Sequence, residues 1–366
     1  MIVRYLPKNT EEFVGWYERY ISPAALVAGF LADNLFLLRR VDLIRSNALL
    51  LSYLVVCAFG IIVTNFVASG RVKSDFVLRA TPILYVVMQF AFGGLFSGYL
   101  SLYSRSASVA TSWIFVLVLA GLLLGNERFI RFYRQFTFQV SLYFTCVFSF
   151  LIFFLPVIFH SIGNIMFLIS GFASLVLITL FLSFLNRIVP EIEQLHRTHT
   201  ARSIGVIFVV FNVLYFNNLI PPLPLALKSA GIYHAIIKSS DGYVLSGEVI
   251  PWYESFLNYN TQFHIQPGET AYVYTAIFAP SGLSVMMYHE WQQYDDVRGV
   301  WHTVDTLDFP IIGGRDGGYR GFTTKTNIPA GAWRVNVLTQ SGRLVGRVSF
   351  VVISVSSPAI LVSETQ

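Results

Sequence analysis

The sequence predicts an α-helical multi-pass membrane bundle of about seven spans, followed by an all-β, sandwich-like soluble domain. Three observations lead there. Long apolar runs fill residues 21–220, and a run of about 18 or more residues is long enough to cross a bilayer. Only 12% of the residues are charged, against about 25% in soluble domains. Beyond Pro221–Pro222–Leu223–Pro224 the long runs give way to short alternating stretches broken by Gly, Asn and Asp.

The spans fall at 21–38, 48–68, 80–103, 107–125, 136–159, 165–188 and 204–220. The first is short, contains Asp33 and Asn34, and runs into Arg39 and Arg40. Pro23 and Pro82 suit helix starts, where a missing N–H costs nothing. Pro156 suits a helix end. Small residues four apart, at Ala24/Ala28/Ala32, Gly94/Gly98 and Gly121/Gly125, would let helices approach closely in lipid.

Lys and Arg in the connecting segments set the orientation. One side carries Arg4, Lys8, Arg19, Arg71, Lys73, Arg79, Arg128, Arg131, Arg134, Arg187, Arg197 and Arg202. The other carries Arg39, Arg40, Arg45 and Arg105. The positive-inside rule puts the N-terminus in the cytoplasm and the C-terminal domain outside. The localisation expected is a bacterial cytoplasmic membrane. No cleavable signal peptide is visible, so the first span would act as a signal-anchor.

The boundaries expected are a helical domain over 1–228, a β domain over 229–356 and a loose tail over 357–366. Strands are expected at 232–237, 270–279, 282–291, 301–312, 331–340 and 342–352, segments rich in Val, Ile, Tyr, Trp and Thr. Turns are expected at Ser240–Asp241–Gly242, Gln266–Pro267–Gly268, Pro280–Ser281–Gly282 and Gln340–Ser341–Gly342. The proline-rich joint stiffens the exit from the last span.

Charge and cysteine narrow the function classes. Residues 1–228 hold 17 Lys and Arg against 9 Asp and Glu, a balance of +8, and residues 229–366 hold 8 against 11, a balance of −3. The basic excess therefore belongs to membrane topology, and the β domain has no nucleic-acid footprint. Both cysteines, Cys57 and Cys146, lie in apolar runs, so the β domain has neither a disulfide nor a cysteine metal site.

Several segments resemble a known family. These are NNLIPPLPLALKSAGIYHAI at 217–236 and the block from WHTVDTLDFPIIGGRDGGYRGFTTK at 301 to GAWRVNVLTQSGRLVGRVSFVV ending at 352. GFLADN at 29–34 and FGGLFSGYLSLYSRSASVATS at 92–112 add to them. Together they are similar to bacterial membrane proteins carrying the domain of unknown function DUF2914. The resemblance implies a helical membrane region followed by a soluble module, and it supplies no activity.

Each candidate constellation has a structural and a functional reading. In Gly313–Gly314–Arg315–Asp316–Gly317–Gly318–Tyr319–Arg320–Gly321 the glycines suit a hairpin or bulge in which Asp316 pairs an arginine. Alternatively Arg315 and Arg320 clamp an anionic group. His289-Glu290-Trp291-Gln292-Gln293 opens like a zinc-protease motif, but Gln293 stands where the second His is needed. His289, Trp291 and Trp333 are read either as sheet packing or, with Trp301 and Tyr319, as an aromatic surface for sugar rings. Glu193-x-x-His196 lacks the partner carboxylates of a di-metal site, and Ser97 has no intramembrane base. Asp33 and Asn34 are the foremost intramembrane polar pair. Gln89, Asn212, Asn65, Gln139 and Asn217 are read as interhelical hydrogen-bonding residues.

The function expected is a non-enzymatic membrane protein whose β domain binds a protein, glycan or other envelope component through Arg315, Tyr319, Arg320, His289, Trp291 and Trp333. It needs no cofactor or metal, its helical partner is the lipid bilayer, and it binds no nucleic acid. The alternative is a transporter or channel with the β domain as lid. A polar cavity at Asp33, Gln89 or Asn212 would favour that alternative.

Overall fold

A computed structural model describes residues 30–31, 42–72, 74–106, 112–126, 128–239, 242–249, 261–315 and 317–366. The first expected span, with Asp33 and Asn34, lies outside the described residues, as does Asp316. The chain divides into a helical unit (Met1–Arg105 with Trp113–Ile220) and a β unit (Ser106–Ser112 with Pro221–Gln366).

Six α-helices are described in the helical unit. They are α1 (Ile44–Ala68), α2 (Asp75–Ser106), α3 (Trp113–Asn126), α4 (Phe136–Phe159), α5 (Asn164–Ile188) and α6 (Pro190–Phe216), with a 3-10 turn at Phe129–Arg134. All but α3 are long and apolar enough to cross a membrane. The α3 helix has 14 residues, a rise of about 21 Å, which is short of the ~30 Å of a hydrocarbon core. It covers residues 113–125 of the span expected at 107–125, of which residues 107–111 lie outside the described residues. Two helices begin earlier than their apolar runs. Asp75 lies in the first turn of α2, so Pro82 falls inside the helix instead of at its start. Pro190 opens α6, with Glu191 and Glu193 in its first turn. Carboxylates there meet the positive end of the helix dipole, so polar sequence extends the helix beyond the apolar stretch.

Aromatic side chains fill the helical core, with Phe148 stacked on Phe211 at 4.6 Å and Phe167 on Tyr215 at 3.6 Å. Gly94 packs against the Tyr53 ring and Gly60 against Met88, each so closely that a Cβ would stand under 3 Å from the neighbour. Tyr99 and Tyr103 donate to the Cys146 and Ser149 carbonyls of α4. At one end Arg71, between α1 and α2, pairs with Glu191 at 2.6 Å and donates to the Ile188 carbonyl at the end of α5. The first and last of the basic connections therefore meet at the same end of the unit.

Among the described residues, eleven strands form three sheets in the β unit. The first has the order β1 (Ala226–Tyr233), β5 (Thr270–Phe278), β8 (Tyr319–Thr326). The second runs β4 (Thr261–Ile265), β10 (Leu344–Ser354), β9 (Gly331–Thr339), β6 (Ser284–Asp295), β7 (Val300–Ile312). The third runs β11 (Leu361–Thr365), β3 (Gly242–Glu248), β2 (Ala235–Ser239). One core joins the first two sheets and contains Ile232, Val273, Trp291, Trp333, Val335 and Phe350. A second cluster of Leu245, Tyr274 and Ala276 joins the first sheet to the third. Strand β5 is thus covered on both faces, which is why TAYVYTAIF is almost continuously apolar instead of alternating.

The turn glycines Gly268, Gly282 and Gly342 all take positive φ, as their turn signals require. The six expected strands are present. However, 232–237 divides between β1 and β2 at His234, and β1 begins at Ala226, before the expected boundary. The expected loose tail contains β11, which pairs antiparallel with β3 from Leu361↔Glu248 to Thr365↔Val244. It is exposed along its whole length, so it carries no apolar alternation to read. Strand β4 joins the edge of the second sheet parallel to β10, a pairing that no local turn announces.

Candidate binding surface

The two faces of β6 separate the aromatic residues from the polar ones. His289 and Trp291 point into the core, and Trp333 on β9 joins them; exposure is 0%, 0% and 1%. These three residues cannot form an outer surface, which corrects that expectation. Strand alternation together with the depth of the core consumes them. His289 is fully satisfied there. Trp291 Nε1 donates to Thr323 Oγ1 at 3.2 Å, and Thr323 Oγ1 lies 2.9 Å from His289 Nδ1. His289 Nε2 lies 3.1 Å from Thr275 Oγ1, which donates to the Gly321 carbonyl at 3.5 Å. With the proton on Nε2, every group in this relay finds a partner. Burial pushes the imidazole down from its ordinary 6.5 to about 3, so it is neutral.

The outward face carries two adjacent cross-strand rows. One runs Ser349–Arg334–Gln292–Thr303 and the next Arg347–Asn336–Glu290–Thr306. Their side chains interlock. Gln292 Oε1 accepts from Arg334 Nε at 2.6 Å and from Asn336 Nδ2 at 3.2 Å. Its Nε2 donates to Thr303, whose hydroxyl donates to Glu290 Oε1 at 2.9 Å. Asn336 also donates to Glu290 Oε2 at 2.8 Å and accepts from Arg347 Nε at 2.6 Å. The Arg334 guanidinium lies 4.3 Å from the centre of the Trp301 ring, which contacts Tyr294. Burial first, and then the nearby Arg347 charge, lower Arg334 from its usual arginine value.

The glycine-rich segment is not the expected hairpin: it links β7 of the second sheet to β8 of the first, and Asp316 lies outside the described residues. A Cβ on Gly313 would stand 1.8 Å from the Pro280 carbonyl oxygen, and Gly318 has φ +87° against the Ile277 backbone. Arg315 sits over the Tyr319 ring at 5.6 Å. Tyr319 and Arg320 are consecutive on β8 and project to opposite faces. The Arg320 guanidinium lies instead beside Gly242, so it does not share the Arg315–Tyr319 stack.

Within the helical unit, three of the expected polar residues meet. Asn65 donates to Gln139 Oε1 at 2.6 Å, and Gln139 donates to the Tyr133 carbonyl. Tyr133 donates to Asn126 Oδ1 at 2.5 Å, and Asn126 donates to the Gln89 carbonyl at 2.9 Å. All five side chains are buried, and none is charged. Asn212 and Asn217 only bond carbonyls of their own helix, at Phe208 and Val213. The sequence reading missed Asn126 and Tyr133. It also missed Glu290, Gln292, Arg334, Asn336 and Arg347 as a site, because alternate polar residues on a strand look like ordinary solvent-facing positions. Among the described residues, no group of three His, Cys, Asp or Glu is placed to hold a metal ion.

No curated protein matches the chain. Among solved structures, the chain is similar to Pseudomonas fluorescens alkylpurine DNA glycosylase AlkC bound to DNA containing an abasic site analog. The identity is 12% and the TM-score 0.20, over 77% of this chain and 83% of that one; a score so low carries no likeness of fold. Residues 286–352 match the sequence model of the protein family of unknown function DUF2914. That segment holds almost all of β6 to β10, including both outward rows and the Trp301–Arg334 stack. The β unit of this chain therefore carries a DUF2914 domain at residues 286–352.

Proposed function

We propose that this protein is a non-enzymatic, membrane-anchored binding protein whose sandwich-like β unit engages a protein, glycan or other envelope component through the outer face of the second sheet. The observation that carries this reading is the interlocked set Glu290, Gln292, Arg334, Asn336 and Arg347 beside Trp301. A solvated sheet face has no need to fix five polar side chains on one another. A recognition surface does, because preorganised groups lose less entropy on binding. Capture of envelope components by the full-length protein should fall in Trp301→Ala and Arg334→Ala and persist in Arg315→Ala. Equal capture by all three variants would remove the sheet face from consideration.

The same reading places the helical unit in a bacterial cytoplasmic membrane with the β unit outside. It is supported by large apolar side chains on the helical exterior, with Phe59, Phe172 and Leu180 all more than half exposed, and by the arginine asymmetry of the connections. Protease added to intact spheroplasts should digest the chain beyond Lys228. Protection there, with cleavage in inside-out vesicles, would reverse the orientation.

A further inference from the structure

We infer that β1 offers an open strand edge to an extended segment of a partner protein, with a lysine or arginine of that segment paired to Glu364. This site belongs to the edge of the first sheet. It involves neither Trp301 nor Arg334 and does not depend on the role proposed for them.

A cleft of about 480 Å³ opens within the β unit, and Ser229, Ala230, Gly231, Ile232 and Tyr233 all line it. Successive side chains of a strand point to opposite faces. Five consecutive residues of one strand can therefore line one cleft only where it runs along the strand's edge and meets the main chain. Among the described residues β1 pairs only with β5, so alternate N–H and C=O groups of β1 face the cleft without a strand partner. Leu227 packs against Gly346 of β10 at one end of this stretch, and Tyr233 packs against Gly247 of β3 at the other. Between those contacts Ser229, Ala230 and Gly231 stay only half-buried.

Two edges of the second sheet are blunted, and this edge is not. Strand β7 carries Asp305, Asp308 and Pro310, residues that discourage strand addition. On β4 the His264 N–H donates to Glu248 at 2.6 Å. The stretch Ser229–Tyr233 has no charge and no proline. The cleft floor is apolar, made by Ile232, Phe263 and Val348 of the core between the first two sheets, and it suits alternate side chains of an added strand. The Tyr233 end is acidic. There Glu364 accepts from the Tyr233 hydroxyl at 2.9 Å, and among the described residues no Lys or Arg pairs with it. Glu248 is held by His234 and His264. No Lys or Arg lines the cleft; nearby, Lys228 lies over the Phe278 ring, Arg347 donates to Asn336, and Arg320 lies beside Gly242. A lysine or arginine brings an apolar stem with a positive end, which matches an apolar floor that ends at a carboxylate.

Five residues of an added strand span about 17 Å, so the probes are pentapeptides blocked at both ends, Val-Thr-Lys-Thr-Val and Val-Thr-Glu-Thr-Val. Each is titrated calorimetrically into the full chain in a non-ionic detergent. The lysine peptide should bind saturably and about fivefold more tightly than the glutamate peptide. Glu364→Gln should erase that preference, and Glu364→Lys should reverse it. Val362 is exposed and lines the cleft, so Val362→Trp should fill the space and abolish binding of both peptides. Thermal midpoints matching the wild type check that these variants fold. The lysine peptide N-methylated at alternate residues loses its donors along one edge only, and at least one of the two alternating forms should bind about tenfold more weakly. No binding, a preference that Glu364→Lys leaves unchanged, binding that survives Val362→Trp, or full binding by both N-methylated forms would overturn the inference. So would a dimer of the chain that Val362→Trp dissociates, because the edge would then be taken by a second copy.

Discussion

In the helical unit Phe59, Phe172 and Leu180 lie outside while Asn65, Gln89, Asn126 and Gln139 are buried; in the β unit Trp291 and Trp333 are buried while Glu290, Gln292 and Arg334 reach the surface. The two units sort similar residue types in opposite senses. Against hydrocarbon, exposure of Phe costs nothing, and a polar amide must find its partner inside. Against water, burial of Trp drives folding and a polar network can face outward. The contrast extends to buried polar groups. The helical unit links neutral amides through four connections, whereas the β unit isolates one imidazole between two threonines.

Four perturbations test this contrast, taken from the largest effect to the smallest. Trp333→Ala should destabilise the β unit by about 3–5 kcal/mol, the usual cost of deleting a buried Trp side chain. Limited proteolysis of the full chain should then cut the β unit while the helical unit resists. Equal loss of both units would mean that they do not fold on separate cores. Acid acts through His289. Its native pKa lies below that of the unfolded chain, so the unfolded state takes up a proton first as pH falls from 6.5 towards about 3. Stability is therefore full above that window and declines within it, at no more than about 1.4 kcal/mol per pH unit from this group. Denaturation midpoints followed by tryptophan emission should show this slope in the wild type and a smaller one in His289→Gln.

Gln139→Leu removes one of the two acceptors of Asn65, leaving only the Ile61 carbonyl, and leaves the Tyr133 carbonyl without this donor. It should cost about 1–3 kcal/mol, read as a lower thermal midpoint of the helical unit in detergent. No change would mean that the chain of amides only fills space. Arg315→Ala removes an exposed side chain whose described contact is the Tyr319 ring, and the change in midpoint should stay within about 0.5 kcal/mol.

Much of this architecture is legible because local rules produce it. The apolar lengths of α1, α4 and α5, the positive-φ glycines at three turns and the alternation of β6, β9 and β10 depend on nothing distant. The candidate surface was not legible for the opposite reason. His289 and Trp333 carry the same strand signal whether a second sheet covers them or not, and only the position of the first sheet decides. Arg334 and Glu290 are 44 residues apart in the sequence numbering, and the register between β6 and β9 is what sets them on adjacent rows.

The sequence by itself determined that long apolar helices come first and short alternating strands follow, with the break falling at Ile220–Pro221, a few residues ahead of the expected Lys228. Composition and period are properties of each segment by itself, so they are written locally. The tertiary structure alone decided which aromatics became core, that the final residues add a strand to β3, and that Asn65, Gln139, Tyr133 and Asn126 form one connected line. Each of those outcomes depends on pairing between distant segments, where the energy comes from a partner that the local sequence does not name.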